Sequence, residues 1–591
     1  MPIISYRGLN PAMALIRKAF YTLLIVIVLG VAALYFIAQT GYAAGWISQW
    51  ISNNSPYRLA FSNLDYSLSS PFRLTLNQAE FGVKEREPLV KAQKLTVDLG
   101  DDFWQTPLSF ASLEVDGGTL TLSADKTGAP DVRSQRLQLR NVSVDVKTPE
   151  IALKGEGVNG GFLPWRLTSG LIPTDNAHFE FSASKLWLNE LETANVLIQG
   201  DVRDNQLLLT NVGADLAGGL LTGSAKRAPD GRWTIDYFRL SDVKYQSHQA
   251  LPALLTQIDN YVDGVSLTLN RADLINTNIQ GDGWALSDFS LSLKDLRREG
   301  GLWQADAGSA LFNAYDIVLG DQHLVNPVLN LELEGDTLKI KQFSSRWQDG
   351  LVRATGAWSR KDHTLRLDDV ALTSLLYTLP QSWKSALLEP MPDWLRELYV
   401  NKFAVNRSII IDINPDFPFQ FTSVDSSGSD LHLVKDRQFG LWKGNLTVNA
   451  SAATLNKTDL RHPSTVVSAD ANAITFSDTS AFTATGLLEG QATIGQSSDR
   501  PLDLSLSGRG VSVNILQNWG WEPVPLKGNG SLKLTLKGSL KGAEAKPDLK
   551  SSLSIQGDDG QRYPDEQNAT PQQEAPTQPS QEESPAPQPL F

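Results

Sequence analysis

Two hydrophobic patterns divide this chain: one uninterrupted apolar run near the N-terminus, and a long region in which apolar and polar residues alternate. The run covers residues 19–38 and contains no charged residue. Twenty residues in an α-helix rise about 30 Å, which matches the hydrocarbon core of a bilayer. The run therefore predicts a transmembrane helix.

The charges around this run predict its orientation. Arg7, Arg17 and Lys18 precede it, and the next charged residue after it is Arg58. Because basic residues favour the cytoplasmic side, we expect a cytoplasmic N-terminus and an external body. A cleaved signal peptide is the alternative, but the run exceeds the roughly 7–15 residues of a signal-peptide core. We therefore expect an uncleaved anchor, with Met13 as an alternative start.

A second apolar pattern follows just outside the expected membrane. Trp46, Ile47, Trp50 and Ile51 recur at the spacing of one helical face. This predicts a juxtamembrane amphipathic helix within residues 39–57. Trp46 and Trp50 are candidates for contact with the membrane interface, where tryptophan is enriched. The helix could also cap the start of the body, and the two roles are compatible.

Period-two alternation dominates from residue 58 to about residue 555. The clearest runs are Leu95–Leu99, Leu137–Leu139, Phe179–Phe181, Leu502–Leu506 and Leu532–Leu536. Such alternation is typical of antiparallel strands with one apolar and one wet face. Turn signals punctuate the runs at Asp116–Gly118, Asp230–Gly231 and Gly335–Asp336.

Helical patterns are scarce in this region. Residues 249–261 and 381–398 are candidates for short helices, the second interrupted by Pro390 and Pro392. Without a regular alternation of strands and helices, a parallel α/β fold is not expected. We predict an all-β, mainly antiparallel body with few helices, whose apolar sheet faces either cover each other or hold an apolar ligand.

One hairpin pattern occurs three times. An apolar pair separated by one residue occurs at Leu207 and Leu209, at Leu338 and Ile340, and at Ile474 and Phe476. Twelve residues after each pair begins, a Gly-Leu dipeptide follows, at Gly219, Gly350 and Gly486. Chance matches are common in β-rich sequences, but the shared spacing favours repeated hairpins stacked on their neighbours.

Composition excludes several functional classes. The net charge is −13, which argues against a nucleic-acid partner, because phosphate binding needs a basic surface. The chain has no cysteine, so disulfides, thiolate zinc sites and iron–sulfur clusters are excluded. A long chain without cysteine also fits an oxidising compartment.

Motifs for catalysis or metal binding are missing. The six histidines do not occur at metal-ligand spacing, and neither a phosphate-binding loop nor a nucleophile elbow occurs. Asp412-Ile-Asn414-Pro-Asp416 resembles an acidic calcium loop but lacks its glycine and distal glutamate, so we interpret it as a turn. We predict no catalytic residues, no metal and no cofactor.

The C-terminal residues 556–591 differ from the body. Seven prolines lie there among Gln, Glu and Ser. Such a segment buries too little apolar area to offset the entropy cost of ordering it. We predict a disordered, linker-like tail, with contact to a protein partner in the envelope as the less favoured alternative.

The order of these parts resembles a known family. The matching stretches are Leu207–Gly223, Leu504–Leu516 and Pro525–Gly538. With the basic N-terminus, the anchor and the glycine-marked hairpins, they resemble the AsmA family of Gram-negative envelope proteins. The resemblance extends from the anchor to about residue 555.

The resemblance implies an inner-membrane protein with a periplasmic body, formed by an elongated, curved β-sheet groove. Larger members of this family are bridge-like lipid-transfer proteins, in which phospholipids move along an apolar groove. Older descriptions of the family concern outer-membrane protein assembly. The family offers no catalytic motif to carry over.

Two functions therefore remain open, with an envelope enzyme ranked last. The first is a groove for acyl chains of membrane phospholipids, and the second is a scaffold with a closed, dry core that influences outer-membrane protein assembly. For each candidate lining residue alone, ordinary core packing is an equally good interpretation. The candidates are Leu95, Val97, Leu99, Leu207, Leu209, Leu338, Ile340, Ile474, Phe476, Leu504, Leu506, Leu532 and Leu534.

The predicted organisation has five segments. They are a cytoplasmic N-terminus (1–18), a transmembrane helix (19–38), a juxtamembrane helix (39–57), a periplasmic β-rich groove domain (58–555) and a disordered tail (556–591).

Overall fold

The computed structural model contains two compact units. It describes residues 11–100, 105–106, 108–123, 132–147, 152–166, 176–188, 191–540 and 548–564, without the side chains of residues 11–19 and 261. The N-terminal unit comprises Met1–Gln246, Thr256–Ile279 and Arg297–Leu302. The C-terminal unit comprises Ser247–Leu255, Gln280–Leu296 and Trp303–Phe591.

Two helices open the described chain. Helix α1 (Pro11–Ala38) contains the apolar stretch Phe20–Ala38, long enough to span a membrane and unburied by the protein. Helix α2 (Gly41–Asn54) follows after a two-residue break. The predicted N-terminal transmembrane helix is thus confirmed in length and composition. Arg17 and Lys18 lie within α1, whereas Arg7 lies outside the described residues, so the orientation stays a prediction.

Strands make up most of the N-terminal unit, as the alternation predicts. They are β1 (Tyr57–Ala60), β2 (Asn63–Ser67), β3 (Ser70–Val83), β4 (Val90–Leu99), β5 (Ser109–Ser123), β6 (Arg133–Ser134), β7 (Leu137–Lys147), β8 (Ala152–Leu163), β9 (Trp165–Arg166), β10 (Ala177–Leu188), β11 (Leu191–Arg203), β12 (Gln206–Leu216), β13 (Gly219–Arg227), β14 (Trp233–Ser241) and β15 (Lys244–Gln246). Helix α3 (Leu251–Tyr261) and strand β16 (Leu267–Gly281) follow.

The remaining elements along the chain are again mostly strands. They are β17 (Trp284–Glu299), β18 (Leu302–Gln304), β19 (Gly308–Asn313), β20 (Asp316–Leu319), β21 (Gln322–Glu334), β22 (Thr337–Trp347), β23 (Gly350–Ser359), β24 (Thr364–Thr373), β25 (Leu376–Thr378), α4 (Trp383–Ala386), β26 (Glu397–Asp412), β27 (Phe419–Lys435), β28 (Gln438–Asn449), β29 (Ala452–Leu455), β30 (Thr458–Ala469), β31 (Ala473–Phe482), β32 (Leu487–Gly495), β33 (Pro501–Ser512), β34 (Asn529–Ser539), β35 (Asp548–Gly557) and β36 (Arg562–Tyr563). A 3₁₀ helix spans Ile515–Trp519.

Most neighbouring strands pair antiparallel, as predicted, but parallel pairs interrupt the pattern. Strand β5 pairs parallel with β7, β14 with β16, and β24 with β26. A parallel pair needs a crossover connection. Helix α3 lies in the connection from β14 to β16, and α4 lies in that from β24 to β26. The all-β fold is confirmed, and α3 and α4 lie in two of its crossovers.

Some local predictions are confirmed and others are wrong. Helix α3 matches the prediction for residues 249–261, whereas α4 forms only four residues of the range 381–398. The turn predicted at Asp116–Gly118 is wrong, because β5 runs through these residues. Gly117 and Gly118 have φ angles of 64° and 110°, yet β5 remains paired with β4 and β7 on both sides of them.

The repeated hairpins are confirmed as β12–β13, β22–β23 and β31–β32. The register shifts directly after each apolar pair, at Leu209/Val212, Ile340/Phe343 and Phe476/Thr479. The repeated glycine fulfils the same role each time. A Cβ at Gly219, Gly350 or Gly486 would lie 2.3, 2.5 or 2.1 Å from a carbonyl oxygen of the third strand. The spacing therefore reflects a real structural repeat.

Strand pairing continues into the predicted tail. Strand β36 pairs with β35 through Ile555 and Tyr563. The predicted tail boundary at residue 556 thus precedes the last paired strand. Residues 565–591, on which the disorder prediction mainly rests, lie outside the described residues.

Candidate functional site

An apolar cavity of about 830 Å³ lies in the N-terminal unit. Its wall consists of α2 and one face of the strands from β1 to β12. Cavities of about 300–1,000 Å³ are typical of sites that bind small organic ligands. Of the described residues that line it, Arg166 alone is charged. The wall is therefore suited to an apolar ligand.

Alternation along the strands builds this wall. Leu95, Val97 and Leu99 of β4 line the cavity, as do Leu207 and Leu209 of β12. These are the first five predicted lining residues, and the structure brings them to one surface. The residues adjacent to them, such as Lys94 and Thr96, face the opposite side, because successive strand side chains point to opposite faces.

Strands between β4 and β12 contribute lining residues that the sequence prediction did not name. They include Leu113 and Val115 of β5, Leu137 and Leu139 of β7, and Phe179 and Phe181 of β10. Most of them are buried in one hydrophobic cluster with Val97. Their alternation is the same signal as in β4, so extending the prediction to every alternating run would have identified them.

A row of residues with left-handed backbone keeps the long strands apolar on the cavity side. On β7, Leu137 and Leu139 line the cavity before Asn141, and Val144 and Val146 line it afterwards. The register shifts at Asn141, whose φ is 50°. Because strand side chains alternate with period two, an extra residue is needed to return Val144 to the face of Leu137. Left-handed residues interrupt the alternation likewise at Gln78, Gly117 and Gly157.

Aromatic rings form the wall between β8 and β10. The ring centroid of Phe162 lies 5.6 Å from that of Phe179 and 5.0 Å from that of Phe181. A Cβ at Gly200 of β11 would lie 2.6 Å from the Phe179 ring. The glycine thus leaves the space that the ring occupies. Aromatic pairs at this spacing stabilise the wall beyond their burial alone.

Helix α2, which directly follows the apolar helix α1, forms part of the cavity wall. Ala44 is fully buried against Phe61 and Leu64, which fixes the helix on the first strands. On the same helix, Ile47 and Trp50 line the cavity. The expected cap of the body is therefore present. The interfacial role of Trp46 and Trp50 stays a prediction, with exposed fractions of 69% and 58%.

Charged side chains lie on the opposite sheet face. Lys185 Nζ of β10 donates to Glu192 Oε1 of β11 at 2.9 Å. Leu186, the next residue on β10, points to the other face and lines the cavity. This hydrogen bond lowers the pKa of Glu192 and raises the pKa of Lys185. Arg140 forms a similar pair with Glu114 at 2.9 Å. The sheet thus separates an ionic outer face from an apolar cavity.

The other predicted lining residues lie in the C-terminal unit. Leu338, Ile340, Ile474, Phe476, Leu504 and Leu506 are half-buried on their strands. Leu532 and Leu534 of β34 are each only 3% exposed and belong to one packed cluster. These eight residues therefore do not line the cavity of the N-terminal unit.

A segment without strands packs on this C-terminal cluster. We call residues 513–526 the cover segment; it contains the 3₁₀ helix and the buried residues Ile515 and Leu516. Trp519 Nε1 donates to the carbonyl oxygen of Leu455 at 3.1 Å. Val524 N donates to Asn514 Oδ1 at 2.8 Å, which closes the segment on itself. The sequence prediction missed this cover.

The acidic loop in the C-terminal unit behaves as the predicted turn. Asn414 N donates to Asp412 Oδ1 at 2.9 Å, and Asp416 N donates to Asn414 Oδ1 at 3.0 Å. The side-chain oxygens thus bind the backbone of the loop itself. Within the described part of the chain, no cluster of three or more His, Asp or Glu side chains could hold a metal ion.

Comparison with known proteins identifies one curated relative over nearly the full length. The chain is 38% identical over 544 residues to the AsmA family protein YicH of Escherichia coli (strain K12). The match covers 92% of this chain and 94% of the relative. No family model matches the chain.

Proposed function

This chain belongs to the AsmA family, and on that premise we propose that its apolar cavity binds phospholipid acyl chains and conducts them between envelope membranes. An AsmA-family chain with one apolar N-terminal helix fits a membrane-anchored envelope protein. In the proposed arrangement α1 crosses the inner membrane, the N-terminus is cytoplasmic and the body is periplasmic. The protein acts without catalysing a reaction.

The apolar cavity is the main observation that supports this proposal. Its wall extends from Ile47 and Trp50 on α2 to Leu207 and Leu209 on β12 and is apolar almost throughout. An acyl chain leaving the membrane would therefore meet an apolar surface as soon as it passes α2. The polar headgroup would remain in water.

The energetic benefit for a lipid is large. Burial of apolar surface gains about 0.8 kcal/mol per CH₂, so two sixteen-carbon chains gain roughly 25 kcal/mol when fully shielded. A lipid alone in water loses this stabilisation, which makes unassisted transfer slow. A continuous apolar wall supports sliding because it offers equivalent contacts at successive strands.

The C-terminal unit favours the second candidate, a structural or regulatory scaffold in outer-membrane protein assembly. Leu532 and Leu534 lie beneath the cover segment in a packed cluster, as in a closed core. Around Leu532 and Leu534, such a closed core supports a scaffold and leaves no room for an acyl chain. The two functions therefore depend on different units of the same chain.

Lipid that co-purifies with the full chain tests the proposal. We would extract the protein in mild detergent and quantify bound phospholipid by mass spectrometry. Leu207→Glu introduces a charge on the cavity wall, and Leu208→Glu introduces it on the opposite face of the same strand as a control. We expect at least a fivefold loss of lipid for the first variant only. Equal lipid content in both folded variants would overturn the proposal.

A further inference from the structure

The β2–β3 hairpin ends in an exposed apolar tip. Residues 67–73 are all exposed, and within them Leu68 and Phe72 expose 61% and 62% of their surface. Residues 66–72 contain no charged side chain; Asp65 precedes them and Arg73 follows. Exposed apolar side chains grouped at a hairpin tip are typical of a surface that contacts a membrane or a partner.

The tip lies beside the membrane helix. The backbone oxygen of Ser62 lies 3.5 Å from the Cβ position of Gly41, at the start of α2. Four residues later, the carbonyl oxygen of Tyr66 accepts a hydrogen bond from Gln39 Nε2 at 2.9 Å. The ring of Tyr66 lies 6.0 Å from that of Tyr35, inside the apolar stretch of α1.

Strand β2 therefore runs back alongside α1, toward the membrane. A strand rises about 3.4 Å per residue, so Leu68 lies roughly 7 Å beyond Tyr66. This places the tip level with the last turns of the apolar helix. Any bilayer that surrounds α1 at this level also surrounds the tip.

The same hairpin belongs to the cavity wall. Leu64 of β2 and Leu74 and Leu76 of β3 line the cavity. Leu64 and Leu76 also pack against Ala44 of α2. The apolar surface of the hairpin thus continues from the tip to the cavity.

We propose that the hairpin tip, residues 67–72, inserts into the bilayer beside α1 and forms the membrane-side lip of the cavity. The role as a lip rests on the proposed function, because it requires that the cavity receives lipid. Insertion itself requires only that α1 spans a membrane. Arg73, whose side chain is 54% exposed at the base of the tip, lies where phospholipid headgroups would be.

Depth measurements test the insertion. Because the chain has no cysteine, single cysteines at Leu68, Phe72 and Leu188 accept an environment-sensitive fluorophore without background. Leu188 is a matched control: it is 42% exposed and ends β10, on the sheet edge opposite the start of β3. The full chain would be reconstituted in vesicles of phosphatidylethanolamine and phosphatidylglycerol.

Nitroxide-labelled lipid should quench the labels at Leu68→Cys and Phe72→Cys at least threefold more than the label at Leu188→Cys. Aqueous iodide should quench in the reverse order. If iodide reaches the tip as readily as Leu188, the tip is in water or on a soluble partner, and the inference is overturned.

A second variant pair tests the role as a lip. Leu68→Asp with Phe72→Asp should slow uptake of fluorescent phospholipid from vesicles at least fivefold, whereas Leu188→Asp with Leu191→Asp should not. Detergent-solubilised protein should bind the same lipid normally in both cases. Unchanged uptake with an inserted tip overturns the lip. A wild-type chain that takes up no lipid contradicts the proposed function, while the depth measurement still decides insertion.

Discussion

The two units present apolar sheet faces built by the same alternation, yet these faces have different surroundings. In the N-terminal unit, Leu95 and Val97 line a cavity of about 830 Å³. In the C-terminal unit, Leu532 and Leu534 pack beneath the cover segment. The strand pattern therefore does not decide whether a face is open. At Leu532 and Leu534, a short irregular segment after β33 makes that difference.

The largest expected difference in stability is between two variants, each of which places one charge on the apolar sheet face of one unit. Leu534→Glu buries an unpaired carboxylate in the packed cluster, which should destabilise the C-terminal unit by more than about 4 kcal/mol. Leu207→Glu lies on a half-buried cavity wall and should cost about 1 kcal/mol or less. Urea unfolding followed by circular dichroism and limited proteolysis measures both.

The control is Leu208→Glu on the opposite face of β12, which should match the wild type. If Leu207→Glu unfolds the N-terminal unit as strongly as Leu534→Glu unfolds its own, the cavity wall is ordinary core. The contrast between the two units would then disappear.

A smaller effect is expected from loosening the cover. Leu516 is 3% exposed, so Leu516→Ala should cost about 2–5 kcal/mol and expose part of the cluster. Binding of a hydrophobic fluorescent dye should then rise several-fold. Trp50→Ala, at a 58% exposed position of the cavity rim, serves as the control and should not raise dye binding. Unchanged dye binding by Leu516→Ala would show that the segment is not a cover.

The repeated hairpin glycine occurs in both units, so its replacement by alanine should destabilise both. Gly219→Ala places a Cβ 2.3 Å from the Ser241 carbonyl oxygen and should destabilise by about 1–3 kcal/mol. Gly350→Ala should cost a similar amount, because its Cβ would meet Thr373 O at 2.5 Å. Gly213→Ala has its nearest such atom at 3.9 Å and should change stability by less than about 0.5 kcal/mol. Equal costs at all three sites would contradict the structural repeat.

The smallest effect concerns the charged outer face. The hydrogen bond from Lys185 lowers the pKa of Glu192, so its stabilisation is present above the ordinary glutamate pKa and is lost as pH falls through the lowered value. Lys185→Gln should return the Glu192 pKa upward in an NMR titration, with little change in stability because the pair is exposed. Lipid content should stay unchanged. A loss of lipid would show that the outer face also takes part in binding.

Much of the architecture was predictable from local pattern. The uncharged run of residues 19–38 predicts the apolar part of α1, because length and composition alone identify a helix that is long enough to span a membrane. The pairs at Leu207 and Leu338 predict hairpins, because strand spacing and turn glycine are local requirements. Half-buried strands show alternation directly, so their existence and the cavity side of β4 follow from the sequence.

Other features depend on contacts distant in sequence. The cover segment contains ordinary apolar residues such as Ile515, and only the packed structure shows which sheet face it covers. The left-handed backbone at Gly117 and Gly118 resembles a turn locally, and pairing with the neighbouring strands decides that β5 continues. The phase change from Leu139 to Val142 is a readable signal, since a straight strand would place these residues on opposite faces.

Photo-crosslinking at three positions tests most directly the central claim that the cavity of the N-terminal unit binds lipid. A photoreactive benzoylphenylalanine would replace Leu95 on the cavity wall, Lys94 on the opposite face of the strand, or Leu532 beneath the cover segment. Irradiated membranes that contain the full chain would then be analysed by mass spectrometry. A phospholipid adduct at residue 95, with little at 94 or 532, is the result we predict. A folded protein without an adduct at residue 95, or with equal adducts at 94 and 95, would contradict the lipid-binding cavity.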